Sequence, residues 1–177
     1  MGTWRSLVIS MLVMLGFVWL WLALSPRASH LEQREVDVMS VARQVNREAG
    51  LKVSVPQLQA PWTATSARYA RSAEGLMTWY AGYHVTGDDS VFVGLRQTAS
   101  DADPRAKDSW LAEATRDGRE MGTVDIGGRT WTRHETGGEP VRRSLVSEEG
   151  GLLTVVEGLG PQERLTEFAG SLRPYKP

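Results

Sequence analysis

The chain has 177 residues, with 20 Lys or Arg against 21 Asp or Glu and no Cys. The near-neutral balance argues against a nucleic-acid partner, which would need a basic face, and the missing thiols exclude disulfides and thiolate metal sites. Arg5 and Arg27 are the only charged residues before position 28, so residues 28–177 carry a net charge of −3. Those 150 residues are the size of one ordinary domain.

Residues 6–25 read SLVISMLVMLGFVWLWLALS, twenty residues without a charge, eleven of them Leu, Ile, Val or Phe. A helix of that length is about 30 Å long, the thickness of a bilayer's hydrocarbon core. Trp4 stands at one edge and Trp19 and Trp21 near the other, the depth that amphipathic indole rings prefer. The run predicts a transmembrane helix, with the lipid bilayer as the partner of residues 6–25. A cleaved signal peptide is the alternative. Ala23-Leu24-Ser25 offers small residues for cleavage, but Pro26 follows at once and the apolar run is too long. A retained signal-anchor is therefore expected, with residues 1–27 as tail and anchor. Arg27, Arg34 and Arg43 on the far side oppose the positive-inside rule by count, yet long domains translocate largely regardless of charge. The expected topology is single-pass, with the N-terminus cytoplasmic and the C-terminal domain outside the cell membrane.

Residues 28–34 read as a polar linker and 35–177 as the domain. Val38, Val41, Ala42, Val45 and Ala49 recur at spacings of three and four, predicting an amphipathic helix over 36–49 that Gly50 stops. A short strand follows at 51–55, ended by Pro56, then an irregular segment at 57–63 and an extended piece at 68–72. Met77, Trp79, Ala81, Tyr83 and Val85 alternate along a strand, and Val91, Val93 and Leu95 continue as its hairpin partner beyond Gly87-Asp88-Asp89. A helix is expected near 107–117 with Trp110, Leu111 and Ala114 inward, ended by Gly118. Gly127-Gly128 marks a two-residue hairpin loop between 120–126 and 129–135. Gly150-Gly151 marks another between 141–147 and 152–157. A last helix starts at Pro161, buries Leu165, Phe168, Ala169 and Leu172, and ends at Pro174. No βαβ alternation appears, so the expected class is α+β: an antiparallel sheet flanked by helices, behind the membrane helix.

Chemistry is harder to find. His30, His84 and His134 show no metal-ligand spacing, and the pairs Asp88/Asp89 and Asp101/Asp103 lack a calcium-loop pattern. No metal or cofactor is signalled. There is no G-x-S-x-G elbow and no phosphate loop; the glycine pairs fall between strands. No catalytic residue can be assigned. Trp79, Trp110 and Trp131 fit core positions. Trp62, Tyr69, Tyr80 and His84 are candidates to line a ligand groove beside the irregular segment, the alternative being an aromatic lid over the sheet edge.

The segments V-P-Q-L-Q-A-P-W-T-A-T-S-A-R-Y (Val55–Tyr69), L-M-T-W-Y-A-G-Y (Leu76–Tyr83) and L-R-Q-T (Leu95–Thr98) resemble the domain-of-unknown-function 4245 family. These are uncharacterised single-pass membrane proteins of high-GC Gram-positive bacteria, and the resemblance covers most of residues 35–173. It implies no catalytic residues. It implies a helix–sheet–helix outline similar to the extrinsic photosystem protein and Mog-like sandwiches, a likeness of fold alone. The expected function is non-enzymatic: binding or scaffolding at the cell envelope, with a membrane or envelope protein as partner. The alternative is an envelope hydrolase assembled from dispersed Ser, His and acidic residues.

Overall fold

A computed structural model describes residues 3–24 and 36–176, the side chains at 3, 5, 6, 22–24 and 89 set aside. The chain divides into two units, Met1–Arg34 and Glu35–Pro177. The first contains α1 (Thr3–Leu24), whose described side chains, Trp4 and 7–21, are all exposed. Among the described residues no helix is long and apolar enough to cross a membrane. The expected helix is thus present, between Thr3 and Leu24. Residue 25, Pro26 and the expected linker 28–34 with His30 lie outside the described residues.

The second unit opens with α2 (Val38–Ala49). Asp37 caps it by accepting the Ser40 N–H at 2.9 Å, and Gly50 closes it at φ 64° with its N–H on the Asn46 carbonyl. That left-handed C′ position is where glycine is favoured. Val38, Ala42 and Val45 form the buried stripe. Then come β1 (Ser54–Pro56), β2 (Trp62–Arg71), β3 (Met77–Val85), β4 (Asp88–Ala99) and α3 (Pro104–Thr115). β5 (Arg119–Ile126), β6 (Arg129–Glu135), β7 (Arg143–Glu149), β8 (Leu152–Leu159), α4 (Gln162–Ser171) and β9 (Leu172–Pro174) complete it.

Seven strands form one antiparallel sheet in the order β2-β3-β4-β8-β7-β6-β5, and β1 pairs with β9 in a separate two-stranded ribbon. The α+β class and the antiparallel sheet match expectation. So do the hairpins at Gly127-Gly128 and Gly150-Gly151, where both glycines of each pair take positive φ. Strand alternation sends Trp79, Ala81, Tyr83, Val93, Leu95, Leu145 and Val156 to one face. There α2, α4 and the β1–β9 ribbon bury them with Phe168 and Trp131. The opposite face is covered only in part. Helix α3 lays Trp110 and Ala114 on Val146, Leu153 and Val155 of β7 and β8.

Several boundaries differ from the sequence reading. β2 is a ten-residue edge strand, where only 68–72 was expected to be extended. α3 starts at Pro104, because Asp103 accepts the Ala106 N–H, and Arg116 rather than Gly118 supplies its left-handed end. α4 stops at Ser171, with Pro161 as its N-cap residue; Leu172 is buried as expected, but in β9 against β1.

Gln97 ties the ribbon to the sheet. Its side chain is fully buried, accepts the Ser54 N–H at 2.8 Å and donates to Thr154 Oγ1 at 3.0 Å. Gln97→Leu keeps the volume but orphans the Ser54 N–H, at a cost of about 1–3 kcal/mol. Urea unfolding should show that loss, and hydrogen exchange should show a less protected Ser54 amide; an unchanged midpoint counts against the tie.

Candidate functional site

The half of the sheet that α3 leaves uncovered carries a row of polar residues set by register. Across β2, β3 and β4 the partners are Arg68, Tyr80 and Arg96. One step along the strands the partners are Ser66, Gly82, Gly94 and Glu157, the last on β8. Gly82 and Gly94 face each other directly, and the Tyr80 side chain runs over both. A Cβ at Gly82 would stand 3.3 Å from the Tyr80 hydroxyl and 2.7 Å from Ser66 Oγ; one at Gly94 would stand 3.4 Å from Tyr80 Cε2. Isolated strand glycines often mark such a close approach.

The Arg68 guanidinium lies 4.5 Å from the Tyr80 ring centroid and that of Arg96 5.9 Å from it. Arg96 is held from two sides. Its Nε donates to Glu157 Oε1 at 2.6 Å, and its Nη1 donates to Glu113 Oε2 on α3. Burial is the largest influence on Glu157 and pushes its carboxyl pKa up, although Arg96 and then Arg116 pull it down. Burial opposes the charge on Arg96 as well, but the two carboxylates outweigh it and raise its pKa. Burial also raises the Tyr80 hydroxyl.

Between the β2–β3 hairpin and α3 this row opens into a cleft of about 380 Å³. Arg68, Arg71, Arg96, Glu74 and Glu113 supply its charges, and Tyr80, Thr78 and Trp110 its floor and wall. Trp110 is buried and donates from Nε1 to Thr78 Oγ1 at 2.9 Å. Ser72, among the residues lining the cleft, has a buried Oγ without a hydrogen-bond partner among the described residues. Among the described residues Arg68 and Arg71 form no ion pair; Arg71 Nη1 donates to the Gly75 carbonyl.

The four aromatic and histidine candidates do not share a groove. Tyr80 and His84 lie on the α3 side of the sheet and Trp62 and Tyr69 on the α2 side, because β3 pairs Tyr69 with Trp79 and Trp62 with Val85. Trp62 donates to Glu167 at 3.0 Å and meets Phe168 edge-on, beside a separate cleft of about 470 Å³ lined also by Met39, Val55 and Leu58. Tyr69 packs on the core and its hydroxyl pKa is raised, first by burial and then by Glu48. His84 Nδ1 is buried without a partner among the described residues, and His134 Nδ1 lies 3.2 Å from the Gly118 carbonyl. Among the described residues neither imidazole hydrogen-bonds to a Ser, Asp or Glu side chain. No group of three potential metal ligands occurs there either. Asp103 and Asp88 are taken up by the backbone N–H groups of Ala106 and Ser90.

Sequence reasoning passed over Arg68, Arg96, Glu113 and Glu157. The available signal was Gly82 and Gly94, each alone within an apolar strand, two positions from Tyr80 and Arg96.

A raised Glu157 pKa has a defined consequence for stability. The folded state binds the Glu157 proton more tightly than the unfolded state does. Its contribution is therefore complete below the ordinary value of 4.5 and is lost as pH rises through the raised folded value. Urea unfolding of the parent and of Glu157→Gln between pH 4.5 and 7 should show the parent losing stability relative to the variant as pH rises. The opposite trend would mean that Arg96 outweighs burial.

The model of the family described as DUF4245, proteins of unknown function, matches residues 1–172. The chain belongs to that family. No curated protein matches it.

Proposed function

We propose that this DUF4245 member is a membrane-tethered binding module, held by residues 6–25 and presenting its α+β unit outside the cell membrane. One observation carries the reading: an uncharged twenty-residue run precedes a self-contained unit, Glu35–Pro177, whose sheet has one half-covered, polar face. The helical backbone of α1 from Thr3 to Leu24 and the exposure of its Leu, Val and Trp side chains support a lipid partner for that run. Eleven Leu, Ile, Val or Phe residues favour insertion by roughly 3–6 kcal/mol. The short N-terminal tail with Arg5 supports its retention in the cytoplasm. The likeness to helix–sheet–helix sandwiches concerns architecture and adds nothing to the role.

Alkaline carbonate extraction should leave the full chain in the membrane pellet and release a chain lacking residues 1–30. Release of the full chain would overturn the tether. A C-terminal reporter active only outside the cytoplasm should be active; activity of a cytoplasmic reporter instead would reverse the orientation. Affinity purification from solubilised membranes checks the scaffolding aspect, which predicts a co-purifying envelope protein.

A further inference from the structure

We propose that the cleft between the β2–β3 hairpin and α3 binds a ligand carrying one small anionic group, a carboxylate or a phosphate. In this site Arg68 and Arg96 take that group, and it displaces the Glu113 carboxylate. The proposal rests on the reading of this unit as a binding module and names what it binds.

Charge is the first argument. The Arg68 and Arg96 guanidiniums meet at the Tyr80 ring on the cleft floor, and one lining carboxylate, Glu113, is already on Arg96. Arg68 has no ionic partner among the described residues, although guanidinium is the side chain best suited to forked recognition of carboxylate and phosphate. The Arg68 guanidinium carbon lies over the Tyr80 ring, 4.5 Å from its centroid. A cation–π contact of that kind engages the charge without using up its N–H donors.

Glu113 is the second argument. It is exposed on α3, and its carboxylate occupies Arg96 Nη1 at the cleft surface. A protein carboxylate thus marks where an external one is accepted. Losing Glu113 does not set Arg96 loose, because Glu157 holds Nε from the buried side at 2.6 Å. The site keeps its shape when the internal anion leaves. A cleft of about 380 Å³ suits a small molecule or a headgroup.

The test uses the full chain in nanodiscs and follows the Trp110 indole N–H resonance, which lies on the cleft wall. In phosphatidylcholine nanodiscs the chain is titrated with inorganic phosphate and, separately, with acetate. In a further arm phosphatidic acid replaces part of the lipid and no anion is added. A saturable shift with a soluble anion assigns a diffusible ligand. A shift only with phosphatidic acid assigns a lipid headgroup. No shift in any arm overturns the proposal. Arg68→Gln should weaken the binding seen by about tenfold or more, the usual effect of a lost charged hydrogen bond. Glu113→Gln should tighten it by about threefold to tenfold, since the internal competitor loses its charge. Both residues are exposed, and unchanged melting of each variant establishes that it folds. Equal affinity for Arg68→Gln, or weaker binding by Glu113→Gln, overturns the assignment. A chain that shows the shift yet is released by carbonate loses the tether and keeps the site; the converse keeps the tether and loses the site.

Discussion

The α3-side site depends on one close approach: Tyr80 crossing a floor made of Gly82 and Gly94. Those two residues are direct partners on β3 and β4, and a Cβ on either would meet the Tyr80 side chain or Ser66. With both Cβ atoms absent, the ring lies low enough for Arg68 to stack above it and for Arg96 to stand beside it. The first stacking is worth about 0.5–1 kcal/mol where exposed and more where desolvated. Glycine within a strand weakens the strand, and here two occur side by side. A local weakness retained in the middle of a seven-stranded sheet fits a surface shaped for contact.

The rest of that face follows from how much of it α3 covers. Trp110 and Ala114 bury Val146, Leu153 and Val155, which leaves β2, β3 and the adjacent part of β4 as the open side. Arg96 stands at the border with a carboxylate on either hand. Replacing a buried ion pair with apolar residues is often neutral or stabilising, so such a pair is weak evidence of a purely structural role. Glu157 sharpens the point. Its carboxyl pays desolvation and remains with a raised pKa, which a simple core residue at that position would avoid.

Alternation made β3 and β4 legible, and glycine pairs made the hairpins legible, because both signals are local. β2 was not legible beyond its end. As an edge strand it is half-buried from Trp62 to Ala67 and largely exposed beyond, and TATSA within it has no apolar alternation. β9 was missed because Leu172 continues the spacing of Leu165, Phe168 and Ala169, and only the distant partner β1 pulls it out of the helix. The candidate groove failed on parity. Trp62 and Tyr69 are seven residues apart, and an unbroken strand would put them on opposite faces. The bulge between Ala64 and Ser66 returns them to one face, the one away from Tyr80 and His84. The arginines were passed over because a single Arg in a strand reads as solvated until its cross-strand neighbours are known.

Arg96 and Gln97 show how the two faces are joined. As neighbours on β4 they point opposite ways. Gln97 binds the β1–β9 ribbon and β8 on one side, and Arg96 binds α3 and β8 on the other. Both also reach the strand that carries Glu157 and Thr154, three positions apart and likewise on opposite faces. One dipeptide therefore connects the covering layers of both faces to the same pair of strands. The Arg96 guanidinium is fixed by a half-buried carboxylate behind it and by a backbone whose next side chain is locked in the core. Of the contacts around it, the exposed Glu113 is the one that can yield without disturbing that frame.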